Sequence, residues 1–158
     1  MERKAVNANS TTNKINSIIH SSYVMPYSIK NIATLIGARK IGSQPAEIDW
    51  LLTDSRSLAF PETTLFFALR TKLGDGHQYI ADLYRRGVRN FVVGTLPASH
   101  DTVFPDANFL LVVSPLKALQ RLAERHREEF SQIPVIGVTG SNGKTVVKEW
   151  LYQLLSPS

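Results

Sequence analysis

The stretch Gly137-Val-Thr-Gly-Ser-Asn-Gly-Lys-Thr145 constrains the fold more than any other part of this chain. A short apolar run at 133–138 leads into it, and Val146, Val147, Trp150, Leu151, Leu154 and Leu155 follow at helical spacing. Strand, glycine-rich loop, Lys-Thr and helix is the order that a phosphate-binding loop requires. Small residues let backbone N–H groups turn toward a phosphate. The open N–H groups and the dipole of the helix start add partial positive charge. On this reading Gly140, Ser141, Asn142, Gly143, Lys144 and Thr145 bind phosphate. Lys144 reaches the terminal phosphates and is the candidate catalytic residue, and the Thr145 hydroxyl ligates Mg²⁺. The spacing departs from the general G-x-x-x-x-G-K-[ST] form, because Val138 stands where the first glycine belongs and glycines stand at 137 and 140. An ordinary strand-to-helix turn is the plainer alternative.

The 158 residues, 43% hydrophobic and 20% charged, suffice for one globular domain plus a remainder. There is no cysteine, which excludes disulfides and a cysteine-based zinc site and fits a cytoplasmic protein. The apolar runs are too short to span a membrane. The formal charge of +5 includes arginine clusters at Arg85, Arg86 and Arg89 and at Arg121, Arg125 and Arg127. Glu124, Glu128 and Glu129 interleave with the second cluster, as on a solvated helix face. No stacking aromatics accompany these arginines, so a polyanionic small molecule is a better use of the surplus than nucleic acid.

Three regions are expected: a disordered leader at 1–24, an α/β domain at 25–131, and the start of a second, incomplete domain at 132–158. The leader is rich in Asn, Ser and Thr and poor in acids, which resembles a transit peptide; an overextended start before Met25 is the alternative. Ser28 caps a helix through Ile36 that Gly37 ends. Residues 48–53, 65–69, 90–93 and 109–113 read as strands. Residues 76–86 read as a helix with Tyr79, Ile80, Leu83 and Tyr84 on its inner face and Gly87 as its stop. A Pro-bearing loop at 96–106 and a helix at 116–130, with Leu116, Leu119, Leu122, Ala123 and His126 on one stripe, complete the domain.

Two polar turns carry further candidate residues. Arg56 follows the strand at 48–53, where its planar fork of donors suits a pyrophosphate or a carbonyl oxygen. A turn held by the Asp54 and Ser55 side chains is the alternative. Asp75-Gly76-His77 begins the next helix, with Asp75 as a possible N-cap. His77 has no nucleophile or metal-ligand partner legible nearby.

The motifs together resemble one family. Thr53-Asp-Ser-Arg56, Leu65-Phe-Phe-Ala-Leu69, Asp75-Gly-His77 and the shifted loop G-x-T-G-[ST]-N-G-K-T are similar to the Mur ligases, ATP-dependent amide-forming enzymes of peptidoglycan precursor synthesis. The resemblance covers residues 25–155. Thr63-Thr64 replaces the family's Gly-Asp, and Thr71 replaces a glycine. Ser141 and Lys148-Glu149 most resemble the member that joins D-alanyl-D-alanine to UDP-N-acetylmuramoyl-tripeptide; the member adding the third stem residue is the runner-up. Phe60-Pro-Glu-Thr-Thr-Leu-Phe-Phe-Ala-Leu69 and Val146-Val-Lys-Glu-Trp150 also resemble a subgroup fused to an alanine racemase.

The resemblance implies a small N-terminal Mur-ligase-type α/β domain that binds the UDP-sugar-peptide through Ser55, Arg56, Asp75, Gly76 and His77. It also implies the first strand, P-loop and helix of a truncated ATPase domain, with ATP and Mg²⁺ as cofactors. The implied reaction activates the tripeptide carboxylate as an acyl phosphate, which the amine of D-alanyl-D-alanine then attacks. The implied downstream metal ligands, modified lysine and amine-binding domain lie outside this sequence, so the chain as printed is expected to be inactive alone. A stand-alone UDP-sugar-binding module and an unrelated small P-loop NTPase are the rival classes.

Overall fold

Ser28 and Gly37 set the limits of the first helix. The Ser28 hydroxyl accepts the backbone N–H of Asn31, and Gly37 takes a left-handed conformation (φ 67°) that ends α1 (Ile29–Ile36). Behind it, Ala38 donates to Ala33 and Gly37 to Thr34, the paired bonds that satisfy the last carbonyls of a helix. The computed structural model describes residues 27–72 and 74–156; the leader at 1–24 lies outside them.

The chain divides into two compact units, Met1–Arg125 and His126–Ser158. In the first, β2 (Arg39–Ile41), β9 (Asn108–Leu111), β8 (Asn90–Val93), β5 (Thr64–Phe67) and β4 (Trp50–Leu52) form one sheet in that order. β4, β5, β8 and β9 run parallel, and β2 joins the β9 edge antiparallel. Short pairs β1 (Tyr27–Ser28) with β3 (Glu47–Ile48), and β6 (Arg70–Thr71) with β7 (Gly74–Asp75), flank it.

Alternation along the strands builds two cores. Leu65, Phe67, Val92 and Leu110 face α1 and the buried face of α4 (Pro115–Glu129). Phe66, Ala68, Phe91, Val93 and Phe109 face Ile80 and Leu83 of α2 (Ile80–Arg85), together with Phe104. The strands are apolar on both sides because helices or loops cover both faces, as parallel sheets require. The crossovers β5–α2–β8 and β8–α3–β9, with α3 at His100–Val103, supply one cover, and the return through α4 supplies part of the other.

Several sequence expectations shift. The strand expected at 48–53 changes partner midway: Ile48 pairs with Tyr27, whereas Trp50–Leu52 pairs with β5. Between them, the N–H groups of Asp49 and Trp50 both donate to the Thr63 carbonyl. The helix expected at 76–86 opens as a 3₁₀ turn, Gly76–Tyr79, capped by Asp75, before α2 begins. The loop at 96–106 contains α3, whose following residue Phe104 is buried. On α4 the buried residues are Pro115, Ala118 and Leu122, while Leu116 is half exposed and His126 lies out against Phe130 at 4.9 Å.

The second unit carries the largest correction. Residues 133–138, expected as a buried strand, form no strand, and Val135 and Ile136 are exposed. A strand is held by ladder bonds to a neighbour and by burial of its faces. The described residues of this unit contain no second strand to provide either. The helix α5 (Lys144–Leu155) does form after the loop, as its spacing predicts.

Candidate functional site

A cleft of about 400 Å³ opens in the first unit, beyond the carboxyl ends of β4 and β5. Thr53, Asp54, Ser55 and Arg56 form one wall; Leu69, Thr71, Gly74, Gly76 and Tyr79 form the rest. This is the edge of an open parallel sheet where ligands bind, because strand ends leave loops and free backbone groups there.

The first wall is a local device. Asp54 caps a 3₁₀ turn, Ser55–Ser57, by accepting the Arg56 backbone N–H at 3.0 Å. The same carboxylate takes the Arg56 guanidinium, with Nε at 3.0 Å from Oδ1 and Nη2 at 2.6 Å from Oδ2. Those bonds to Arg56 hold the Asp54 carboxyl at about 2, below the ordinary carboxylate range. Arg86, at the end of α2, donates to the Ser55 carbonyl at 2.8 Å and so ties this turn to the helix. The Arg56 side chain is 88% exposed and keeps Nη1 free of Asp54.

The second wall depends on Gly76. Its N–H donates to the Leu69 carbonyl at 2.7 Å, and a Cβ there would lie 2.8 Å from the Leu69 nitrogen. Any side chain at this position would push the 3₁₀ turn off the end of β5. Asp75 accepts the His77 N–H at 3.0 Å, the His77 ring Nδ1 at 2.5 Å and the Arg70 Nε at 2.9 Å. These bonds, led by the His77 backbone N–H, hold its carboxyl at about 2. Thus Ser55, Arg56 and Gly76 line the cleft, while Asp75 and His77 stand behind it. The candidate residues read from the sequence do not include Thr53, Asp54, Leu69, Thr71, Gly74 or Tyr79. Tyr79, expected on one helix face with Ile80, Leu83 and Tyr84, is 43% exposed, because it closes the 3₁₀ turn that precedes α2. Its position three residues after Gly76 is the signal that could have found it.

In the second unit the glycine-rich loop turns at Gly140 (φ 146°) and Gly143 (φ 77°), and Gly143 precedes α5. The Lys144 ammonium folds back over the loop to the Gly140 carbonyl. Added Cβ atoms at Gly137 and Gly143 would meet nothing within 4 Å, so the loop surface is open. Among the described residues no group of three or more His, Asp or Glu side chains could hold a metal ion.

Compared with known proteins, the chain is 32% identical over 134 residues to the UDP-N-acetylmuramoyl-tripeptide–D-alanyl-D-alanine ligase of Bacillus subtilis, covering 81% of this chain and 27% of that protein. It is 31% identical over 114 residues to the UDP-N-acetylmuramoyl-L-alanyl-D-glutamate–2,6-diaminopimelate ligase of Cytophaga hutchinsonii, covering 72% of this chain and 23% of the relative. The solved structure of the UDP-N-acetylmuramoylalanyl-D-glutamyl-2,6-diaminopimelate–D-alanyl-D-alanyl ligase of Acinetobacter baumannii superposes with a TM-score of 0.67 at 27% identity, covering 85% of this chain and 29% of that one. This chain belongs to the Mur ligase family. It spans about a quarter of the length of the Mur ligases it matches. No family model matches the chain. The Mur ligase likeness reaches structure as well as sequence, through a mixed α/β fold with a mainly parallel sheet. No helix among the described residues is long and apolar enough to cross a membrane.

Proposed function

We propose that this chain is the N-terminal part of an ATP-dependent ligase that joins D-alanyl-D-alanine to UDP-N-acetylmuramoyl-tripeptide in the cytoplasm, and that its cleft takes the UDP end of the precursor. The observation that carries this reading is the cleft itself. It gathers the Thr53–Arg56 turn and Gly76 at the carboxyl edge of the sheet, with one exposed guanidinium and a half-exposed aromatic ring. A uridine diphosphate offers what that surface recognises: a charged pyrophosphate for Arg56 and a flat base for an apolar wall of Leu69 and Tyr79.

In the same reading, residues 25–131 form the precursor-binding domain and residues 132–158 begin the ATP-binding one. Gly140, Ser141, Asn142, Gly143, Lys144 and Thr145 would hold the ATP phosphates, and the Thr145 hydroxyl would share Mg²⁺ with them. The positive-φ glycines, the open loop surface and the helix start support that fit. Bound ATP would supply the γ-phosphoryl group that converts the precursor carboxylate to an acyl phosphate, a mixed anhydride, with ADP as the leaving group; phosphate would then leave when the amine attacks. Lys144 must leave the Gly140 carbonyl to neutralise charge on the transferred group. Binding of the amine substrate falls to the part of the relatives that this chain does not span.

A second reading, the diaminopimelate-adding ligase, is favoured by the Cytophaga relative. Calorimetric titration separates the two. Tighter binding of UDP-N-acetylmuramoyl-tripeptide than of UDP-N-acetylmuramoyl-L-alanyl-D-glutamate is expected; the reverse order selects the second reading. Binding of neither, by a folded chain, overturns the cleft assignment.

A further inference from the structure

His77 uses both ring nitrogens within the protein. Nε2 accepts the backbone N–H of Gly94 at 3.1 Å and of Thr95 at 3.4 Å. A nitrogen that accepts two N–H groups carries a lone pair and no hydrogen, so the ring hydrogen sits on Nδ1, facing Asp75 Oδ1 at 2.5 Å. The ring is 15% exposed and packs beside Gly94, whose added Cβ would lie 4.0 Å from His77 Cε1. Arg70 runs alongside, from Asp75 Oδ2 at 2.9 Å to the Thr95 hydroxyl at 3.3 Å. Two parallel struts therefore join the β6–β7 hairpin to the turn after β8. Thr71, Gly74 and Gly76, which this joint carries, line the cleft, whereas the imidazole does not.

We infer that His77 is a positioning residue: a neutral, Nδ1-protonated imidazole that latches the Thr71, Gly74 and Gly76 wall of the cleft to the end of β8 and never touches the ligand. The inference rests on the cleft taking a UDP group, but the state of the ring is testable without any ligand. An imidazole spans from an acceptor on one side to two donors on the other, and few side chains can replace it. Glutamine is the nearest, with an oxygen for Gly94 and Thr95 and an amide hydrogen for Asp75. Alanine leaves the N–H groups of Gly94 and Thr95 without this acceptor and Asp75 Oδ1 with only the backbone N–H of residue 77.

Nitrogen-15 NMR of the free 158-residue chain should show the Nδ1–H tautomer, with ring shifts that stay put when UDP is added. His77→Ala should speed amide exchange at Gly94 and Thr95 and weaken UDP binding about ten-fold, the equivalent of one lost hydrogen bond. His77→Gln should recover most of both. An Nε2–H tautomer, or ring shifts that move with UDP as those of Arg56 do, would overturn the proposal. So would a folded His77→Ala with unchanged UDP affinity where Arg56→Ala has lost it. If Arg56→Ala is also without effect, the cleft reading fails, while the tautomer and exchange data still judge the latch. If His77→Ala does not fold, the His77→Gln variant and the wild-type tautomer decide.

Discussion

Arg56 and Asp54 grip each other across a single intervening residue, with Nη2 2.6 Å from Oδ2 and the Arg56 backbone N–H on Oδ1. The turn that the sequence offered as an alternative to a binding site is therefore present, and it presents the guanidinium to the cleft. Arg56→Ala is expected to weaken precursor binding by about 1.5–3 kcal/mol, the range for hydrogen bonds to charged groups. Asp54→Ala should weaken it less, because it frees the guanidinium without removing it. Calorimetry on folded variants checks both, and an unchanged affinity for Arg56→Ala removes that residue from the site.

Asp75 gives a pH dependence of definite sign. Its folded value of about 2 lies below the ordinary carboxylate value near ~3.9. A depressed acid stabilises the fold above its unfolded value and loses that contribution as pH falls through its folded value. Protection of the His77, Gly94 and Thr95 amides, taken relative to the intrinsic exchange rate at each pH, should thus fall between pH ~4 and about 2. Asp75→Asn should start from the lower protection and show little further change. A carboxyl that titrates near ~4 in carbon-13 NMR would contradict the hydrogen bonds from His77 and Arg70 to Asp75.

Phe91 is the centre of one core, fully buried, with its ring stacked on Phe109 at 5.5 Å and edge-on to Phe66 at 6.5 Å. Phe91→Ala should cost about 3–5 kcal/mol, from lost burial plus the cavity left behind. Chemical denaturation of the variant measures this. A cost below ~1 kcal/mol would mean that this core is not as closely packed as the rings indicate.

Lys144→Ala, made in a ligase that includes this chain and the remaining length of its relatives, should remove most turnover and leave UDP-precursor binding nearly intact. The division follows from placement: the cleft belongs to the first unit and Lys144 to the second. Near-normal turnover would sink the phosphate-loop assignment. For the 158-residue chain alone, no ligation is expected, as measured by phosphate release with all substrates present.

Backbone exchange should also divide the chain. Residues 134–142 lie outside any helix or strand, and α5 buries none of its residues, with Trp150 and Leu154 largely exposed. Fast exchange is expected there, beside slow exchange at Phe91 and Leu110 in β8 and β9, which are fully buried and paired on both sides. Uniformly slow exchange through 134–155 would show that the second unit is held more firmly than its exposure indicates.

The local parts of this protein were legible in its residues. Ser28 and Gly37 mark α1 because capping bonds span only three to five residues. The apolar runs at 90–93 and 109–113 declare buried strands because both faces need cover, although β9 ends at Leu111 and Val113 is exposed, and the motif residues Ser55, Arg56 and Gly76 do line one cleft. The extra edge strand β2, the switch of partner at Asp49, and the Asn90–Asn108 side-chain bond of 2.9 Å across β8 and β9 were not legible. Each depends on which segment arrives alongside, and no short-range pattern records that. The same limit explains the missing strand at 133–138: its apolar character was plain, but a strand exists only with a neighbour.

Sequence alone thus determined the first helix and its ends, the apolar cores of β5, β8 and β9, the Mur ligase resemblance, and which polar turns carry charge. Tertiary structure alone decided that Thr53–Arg56 face Leu69, Thr71, Gly74, Gly76 and Tyr79 across a cleft, and that His77 reaches Gly94 and Thr95, 17 and 18 residues away. The physical reason is range. Propensity, capping and periodicity act within a turn or two of chain, whereas a site is made where strand order brings distant loops to the same edge of a sheet.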